Sequence, residues 1–85
     1  MSSNTVPFVT LYTKAECSLC EKAKEILKTA SREIPFHYEE IDITKNPVYC
    51  EQFKEQIPVI FINKRKAFKY RVELKNLLEK LHKCR

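Results

Sequence analysis

The sequence predicts one α/β domain, a four-stranded mixed sheet with helices on both faces. Runs rich in β-branched and aromatic residues alternate with runs of helical periodicity through the first half of the chain. Two strand-like runs joined by a short turn follow, and a stripe of leucines at helical spacing ends the chain. The predicted order is therefore β-α-β-α-β-β-α, and short right-handed connections favour a mixed sheet.

Residues 7–13 (PFVTLYT) predict a central strand, because they are apolar on both faces, as in a strand covered by helices. Residues 18–32 predict an amphipathic helix packed on the sheet. Its apolar positions are Leu19, Ala23, Ile26, Leu27 and Ala30. Residues 36–43 (FHYEEIDI) alternate imperfectly and carry three acidic residues, a pattern that suits an edge strand.

Asn46 and Pro47 predict the start of a short helix that runs through Tyr49 and Phe53. Asparagine is a favoured N-cap, and proline is favoured at the first helical position because it has no N–H to satisfy. This second helix completes the alternation of strands and helices that precedes the final hairpin.

Residues 57–62 (IPVIFI) are the most apolar run and predict a second central strand, with Pro58 at its entrance. Residues 63–65 predict a hairpin turn, and residues 66–70 predict an exposed last strand. The terminal helix has a stripe of core residues, Leu74, Leu77, Leu78 and Leu81.

The chain has 85 residues, enough for one domain of modest stability, and we expect residues 1–6 to be flexible. It contains no glycine, so we expect Asn, Asp or Lys wherever a turn requires a positive φ. No apolar run approaches the length that spans a bilayer, and the first residues lack the pattern of a secretory signal. We therefore expect a soluble monomer without a membrane partner, in the cytoplasm or another reducing intracellular compartment.

The net charge of +5 is uneven, since residues 64–85 carry nine Lys or Arg against two Glu. We interpret this excess as a solvated basic surface. A sharper interpretation is a surface that attracts an anionic thiol or an acidic partner. Nucleic-acid binding is not expected, because the basic residues are not interleaved with aromatic stacking residues.

Cys17 and Cys20 lie where the first strand gives way to the first helix. Three residues are about one helical turn, so the two side chains share a face within bonding reach, as a dithiol or a disulfide. Unpaired N–H groups and the macrodipole at a helix N-terminus stabilise an anion, which favours the outer cysteine, Cys17, as the thiolate nucleophile. Lys14 adds a cation nearby.

A CxxC pair in a reducing compartment points to redox chemistry or to metal, since structural disulfides are rare there. Zinc needs four ligands, and the remaining candidates, Cys50, Cys84, His37 and His82, show no second clustered pair. We therefore expect no metal site. Cys50 is interpreted as a small buried hydrophobic residue, Cys84 as a mobile exposed thiol, and the two histidines as surface residues.

Two runs, VTLYTKxxCxLC and IPVIFIN, resemble the active-site start of glutaredoxins and the strand that follows their cis-proline. The resemblance covers roughly residues 8–82 and is closest to glutaredoxin-like proteins with an Arg-Val pair before the last helix, here Arg71 and Val72. It implies the thioredoxin fold and a thiol-disulfide oxidoreductase. It also implies protein or glutathione mixed disulfides as partners, glutathione as a candidate co-substrate, and no bound cofactor.

The resemblance also implies roles for individual residues. Cys17 would attack a substrate disulfide, and Cys20 would resolve the mixed disulfide. Pro58 would be cis and would hold the backbone of Ile57 beside the sulfurs, where it can pair with a bound peptide-like thiol. Lys14 matches the lysine that helps to hold a glutathione carboxylate and favours the thiolate.

Residues 68–72 (FKYRV) stand where glutaredoxins have a Gly-Gly pair that binds the γ-glutamyl end of glutathione. Bulky side chains replace the close backbone approach that glycine permits, so Arg71 and Val72 become the candidates there, with Arg71 binding a carboxylate. Ser18 and Leu19 replace the usual proline and tyrosine, which resembles glutaredoxins that share an iron-sulfur cluster ligated by glutathione and the residue matching Cys17. The alternatives are therefore an iron-sulfur or zinc carrier, or a non-catalytic interaction module.

Overall fold

The computed structural model describes residues 6–83, and their elements follow the predicted order with one additional 3₁₀ helix. The elements are β1 (Phe8–Thr13), α1 (Ser18–Glu33), β2 (His37–Asp42), a 3₁₀ helix (Ile43–Lys45), α2 (Pro47–Phe53), β3 (Val59–Ile62), β4 (Arg65–Lys69) and α3 (Leu74–Lys83). The four strands form one sheet in the order β2-β1-β3-β4. Because β1 is parallel to β2 and antiparallel to β3, the sheet is mixed, as predicted, with β2 at an edge.

The sheet separates two hydrophobic cores. The larger core lies between one face of the sheet and the helices α1 and α3, and contains Val9, Leu11, Ala23, Leu27, Ala30, Ile34, Ile60, Ile62, Val72, Leu77 and Leu81. The smaller core lies on the side of α2 and contains Cys20, Ile43, Phe53, Ile57 and Val59. Helices therefore cover both faces, as predicted, and the smaller core reaches the second cysteine of the CxxC pair.

Several strand boundaries differ from the predicted ones by one or two residues. β1 begins at Phe8 and not at residue 7, β2 begins at His37 and not at residue 36, and β4 spans Arg65–Lys69 and not residues 66–70. β2 ends at Asp42, because the carboxylate of Asp42 accepts a hydrogen bond from the backbone N–H of Thr44 at 2.9 Å and turns the chain into the 3₁₀ helix. β3 begins at Val59 and not at residue 57, because Pro58 has no N–H to contribute to the ladder. The predicted position of Pro58 at the strand entrance is confirmed.

Four residues in the described part of the chain have a positive φ. Asn63 (φ 51°) and Lys64 (φ 71°) form the hairpin turn between β3 and β4, and both belong to the expected residue types. Glu16 (φ 58°) and Tyr70 (φ 67°) contradict that expectation. At Tyr70, backbone hydrogen bonds to a neighbouring loop hold the conformation and outweigh the local preference of the residue.

Cys50 is partly exposed, which corrects the prediction of a buried residue. Tyr49 and Phe53 lie one turn apart and take the side of α2 that packs on the sheet, which leaves Cys50 on the flank. His37 and His82 are exposed, as predicted.

Residues 1–5, Cys84 and the residue after it lie outside the described residues, so the predictions made for the N-terminus and for Cys84 stay predictions. Between residues 6 and 83, no helix combines the length and the apolar character that crossing a membrane requires.

Candidate active site

Cys17 is the N-cap residue of α1 and has an extended backbone (φ −120°, ψ 110°). Its sulfur accepts a hydrogen bond from the backbone N–H of Cys20 at 3.3 Å, and its carbonyl accepts one from the N–H of Glu21 at 3.1 Å. A cysteine here replaces the usual hydroxyl, amide or carboxylate cap. The sulfur of Cys17 therefore lies at the N-terminus of α1 and faces a backbone N–H donor.

The two cysteines differ in access. Both are free thiols, Cys17 is partly exposed, and Cys20 has no exposed surface. Burial raises the pKa of the Cys20 thiol, and the hydrogen bond to Cys17 acts in the same direction. Within residues 6–83, no three His, Cys, Asp or Glu side chains are grouped so that they could hold a metal ion. Cys17 is therefore the more accessible of the two sulfurs.

Thr13 is a site residue that the sequence analysis missed. It ends β1, is 3% exposed, and is the one buried polar side chain among the described residues. Against the larger effect of burial, the nearby hydroxyl of Thr13 and the backbone N–H of Lys14 lower the pKa of Cys20. The same hydroxyl donates a hydrogen bond to the carbonyl of Lys14 at 3.5 Å. The sequence did contain a signal: side chains alternate between the two faces of a strand, so Thr13 lies on the same face of β1 as the buried Val9 and Leu11.

Lys14 immediately follows β1, and its side chain is exposed and outside every salt bridge between residues 6 and 83. Ile57 and Pro58 are buried just before β3, and the peptide bond between them is cis, as the resemblance implied. Ile57 packs in the smaller core with Cys20, and Cys17 lies against the same core. Ile57 and the two cysteines therefore border the same core.

Tyr70 lies in the link between β4 and α3 and is hydrogen-bonded to the loop that carries Ile57 and Pro58. Its backbone N–H is shared between the carbonyl of Pro58 at 2.9 Å and the carbonyl of Gln56 at 3.1 Å. The next residue, Arg71, is exposed, whereas Val72 is 8% exposed and packs in the larger core. Together with the first turns of α1, these residues form a groove of about 290 Å³ that begins at Leu19, between the two cysteines. Of the site residues predicted from sequence, Arg71 and Val72 line this groove, whereas Cys20 and Ile57 lie in the smaller core.

Tyr12 packs on α2 and belongs to an aromatic cluster with Tyr49, Phe53 and Phe61. The ring centroid of Tyr12 lies 4.5 Å from that of Phe53, 5.2 Å from that of Tyr49 and 5.4 Å from that of Phe61. Such tilted and edge-to-face pairs stabilise packing beyond simple burial. The cluster therefore packs the end of β1 and the middle of β3 against α2.

Comparison with known sequences extends these observations. The family model "Glutaredoxin-like domain (DUF836)" matches residues 8–82. The glutaredoxin-like protein YDR286C homolog of Dictyostelium discoideum is 41% identical over 71 residues, which cover 76% of this chain and 66% of that protein. The chain therefore spans slightly less than two thirds of the length of this relative.

Solved structures share the fold. Ne2328 from Nitrosomonas europaea has a TM-score of 0.80 at 19% identity, with 95% of this chain and 98% of that chain covered. XcR50 from X. campestris has a TM-score of 0.76 at 20% identity, covering 88% and 96%. Thioredoxin from Fasciola hepatica has a TM-score of 0.66 at 14% identity, covering 94% and 82%. At these identities the likeness shows the thioredoxin fold alone, whereas the family match spans every described element up to residue 82, and the chain belongs to the glutaredoxin-like (DUF836) family.

Proposed function

We propose that the protein is a thiol-disulfide oxidoreductase that uses Cys17 and Cys20 as a redox dithiol. The hydrogen bond from the Cys20 N–H to the Cys17 sulfur at the start of α1 is the observation that carries this proposal. It places one partly exposed sulfur at the N-terminus of a helix, with an N–H donor directed at it. The second sulfur, on Cys20, has no exposed surface and is reached only after the first has reacted.

The first step is attack of the Cys17 thiolate on one sulfur of a substrate disulfide. The substrate S–S bond breaks, a mixed disulfide with Cys17 forms, and the other substrate sulfur leaves and takes a proton from solvent. In the second step Cys20 loses its proton and attacks the Cys17 sulfur, which releases the remaining substrate thiol and leaves a Cys17–Cys20 disulfide. Two electrons pass to the substrate, and an external thiol or dithiol returns them before the next cycle.

The surrounding residues would bind the group attached to the target sulfur. Lys14 and Arg71 are exposed cations that suit a substrate carboxylate. The backbone of Ile57, fixed beside Pro58, would pair with the peptide-like part of the bound thiol, and Val72 would form part of the adjoining wall. Protein disulfides and glutathione mixed disulfides are the proposed substrates of a monomer in the cytoplasm or another reducing compartment.

The proposal is tested by comparing reduction of a small-thiol glutathione mixed disulfide with reduction of a protein disulfide, with dithiothreitol returning the electrons. We expect the wild-type protein to accelerate at least one reaction, Cys17→Ser to abolish the acceleration, and Cys50→Ser, on the flank of α2, to preserve it. A wild-type rate equal to that of Cys17→Ser with both substrates would contradict the proposal. The ratio of the two wild-type rates shows whether bulky residues at the Gly-Gly position disfavour glutathione.

A further inference from the structure

The groove beside the dithiol, here called the Leu19–Tyr70 groove, has walls from two elements. It is lined by Leu19, Lys22, Ala23 and Ile26 of α1, and by Tyr70, Arg71, Val72 and Glu73 of the link before α3. Its volume of about 290 Å³ is close to the lower limit for small-ligand pockets. Leu19 lies between Cys17 and Cys20 in the chain, so the groove begins next to the CxxC turn.

The mouth of the groove carries two large apolar side chains that are open to solvent. Leu19 is 37% exposed and Tyr70 is 46% exposed. They are two of the six large hydrophobic residues exposed between residues 6 and 83, and both line this groove. Covering them with an apolar side chain would remove this surface from water, which is favourable in proportion to the area covered.

Tyr70 is held in a fixed position relative to the Pro58 loop. Its φ of 67° lies in the left-handed region, which is unfavourable for a side chain with a Cβ atom. The shared hydrogen bonds of its N–H with the carbonyls of Pro58 and Gln56 maintain this conformation. The backbone that carries the Tyr70 ring is therefore restrained. Such restraint lowers the entropy that binding would cost, as expected for a residue that contacts a ligand.

The charges at the rim favour an anionic partner. Lys22 and Arg71 are exposed and form no salt bridge with another described residue, and Glu73 is the single acidic residue that lines the groove. A partner with an acidic side chain near its apolar residue would be complementary to this arrangement.

We propose that the Leu19–Tyr70 groove selects protein disulfides in which an apolar residue flanks the target cysteine and an acidic residue follows it. This inference rests on the proposed redox function and names its substrate class. The apolar side chain packs between Leu19 and Tyr70 while Cys17 holds the cysteine as a mixed disulfide, and the acidic group meets Lys22 or Arg71. Glutathione has no apolar side chain beside its cysteine, so it leaves both walls exposed.

The test uses two symmetrical peptide disulfides, Asp-Leu-Cys-Leu-Asp and Asp-Ser-Cys-Ser-Asp, and compares kcat/KM for their reduction. We expect the wild-type protein to favour the leucine peptide by about tenfold, the effect of burying part of an aliphatic side chain. The ratio should fall towards one in Leu19→Ala and in Tyr70→Ala, and should be kept in Tyr70→Phe. Val48→Ala removes a 68% exposed apolar side chain from α2, outside the groove, and should also keep the ratio.

Lysine in place of aspartate in the leucine peptide tests the charge. The lysine peptide should have a lower kcat/KM than the aspartate peptide, and the difference should shrink at high salt. Arg71→Glu should remove the preference for the aspartate peptide. Far-UV circular dichroism verifies that each variant is folded. Equal reduction of the leucine and serine peptides by the wild-type protein overturns the inference and leaves the proposed function standing. Reduction of the glutathione mixed disulfide alone, with neither peptide reduced, also overturns only the inference, whereas reduction of no peptide, protein disulfide or glutathione mixed disulfide overturns both.

Discussion

The backbone N–H of Cys20 donates a hydrogen bond to the sulfur of Cys17 across a distance of 3.3 Å. This bond requires one cysteine at the N-cap and the other one turn into the helix, so Cys17 is both the cap of α1 and its reactive group. Hydrogen bonds to an ionised acceptor are stronger than those to a neutral one. The same fold that orders α1 therefore also directs an N–H donor at the sulfur of Cys17.

The two cysteines should give different products when each is replaced by serine. In Cys20→Ser the resolving thiol is absent, so a mixed disulfide between Cys17 and the substrate should accumulate. In Cys17→Ser no such adduct should form, because Cys20 has no exposed surface. Mass spectrometry under non-reducing conditions measures the adduct. Adduct formation at Cys20 in the Cys17→Ser protein would contradict the assigned roles.

The reactivity of Cys20 should depend on pH in a way that reports its burial. Because burial raises the pKa of Cys20, its alkylation by iodoacetamide in the Cys17→Ala protein should become rapid only at a more alkaline pH than for an ordinary cysteine. Peptide mapping of the alkylated protein follows Cys20 and the partly exposed Cys50 together. Equal rates at the two cysteines at neutral pH would count against a buried resolving thiol.

The same shift in pKa predicts a loss of stability at alkaline pH. The pKa of Cys20 is higher in the folded chain than in the unfolded chain, so the unfolded chain loses this proton first as the pH rises. The contribution of Cys20 is complete below its unfolded pKa and is lost as the pH rises through its folded pKa. Urea unfolding of the reduced protein should therefore show a larger alkaline decrease for wild type than for Cys20→Ala. An equal decrease in both proteins would refute this linkage.

Thr13→Val should slow the second half of the reaction. Valine keeps the shape of the side chain but removes the hydroxyl that lowers the pKa of Cys20 against the effect of burial. We expect the mixed disulfide with Cys17 to persist longer, and alkylation of Cys20 to move to higher pH. Rapid quenching with acid measures the lifetime of the adduct. Thr10→Val, on the same strand but outside the CxxC turn, is the matched control, and equal lifetimes in the two variants would contradict a role for Thr13.

Phe53→Ala should destabilise the domain through the aromatic cluster below the site. Phe53 is 3% exposed, and its ring contacts those of Tyr12 and Phe61. Truncation of a buried phenylalanine typically costs about 3–5 kcal/mol. Urea denaturation should show a loss of this size, and Val48→Ala on the same helix should change stability by less than about 0.5 kcal/mol. A loss for Phe53→Ala as small as that of the control would show that the cluster contributes little.

Most of the fold was predictable because its signals are local. The helical spacing of apolar residues in α1, the cap at Asn46 and the turn at Asn63 each depend on a few neighbouring residues. The boundary at Asp42 was missed because a carboxylate that bonds the N–H two residues on competes with the ladder of β2. The hydrophobic pattern of residues 36–43 carries no information about that hydrogen bond, so it could not predict where β2 ends.

The candidate site was predictable only where it is local in sequence. The spacing of Cys17 and Cys20 and the position of Pro58 can be recognised from short motifs. The left-handed conformation of Tyr70 could not be, because it depends on carbonyls of Gln56 and Pro58 that are distant in sequence. The contribution of Thr13 likewise depends on the packing of α1 against the end of β1, which no single segment specifies.

The central claim is that Cys17 and Cys20 exchange two electrons with a substrate disulfide. The most direct measurement is to mix the fully reduced protein with one equivalent of a peptide disulfide, quench with acid, and map the cysteines by mass spectrometry. We predict one Cys17–Cys20 disulfide per disulfide reduced, with Cys50 remaining a free thiol. Recovery of both Cys17 and Cys20 as free thiols beside unreduced peptide disulfide would contradict the account.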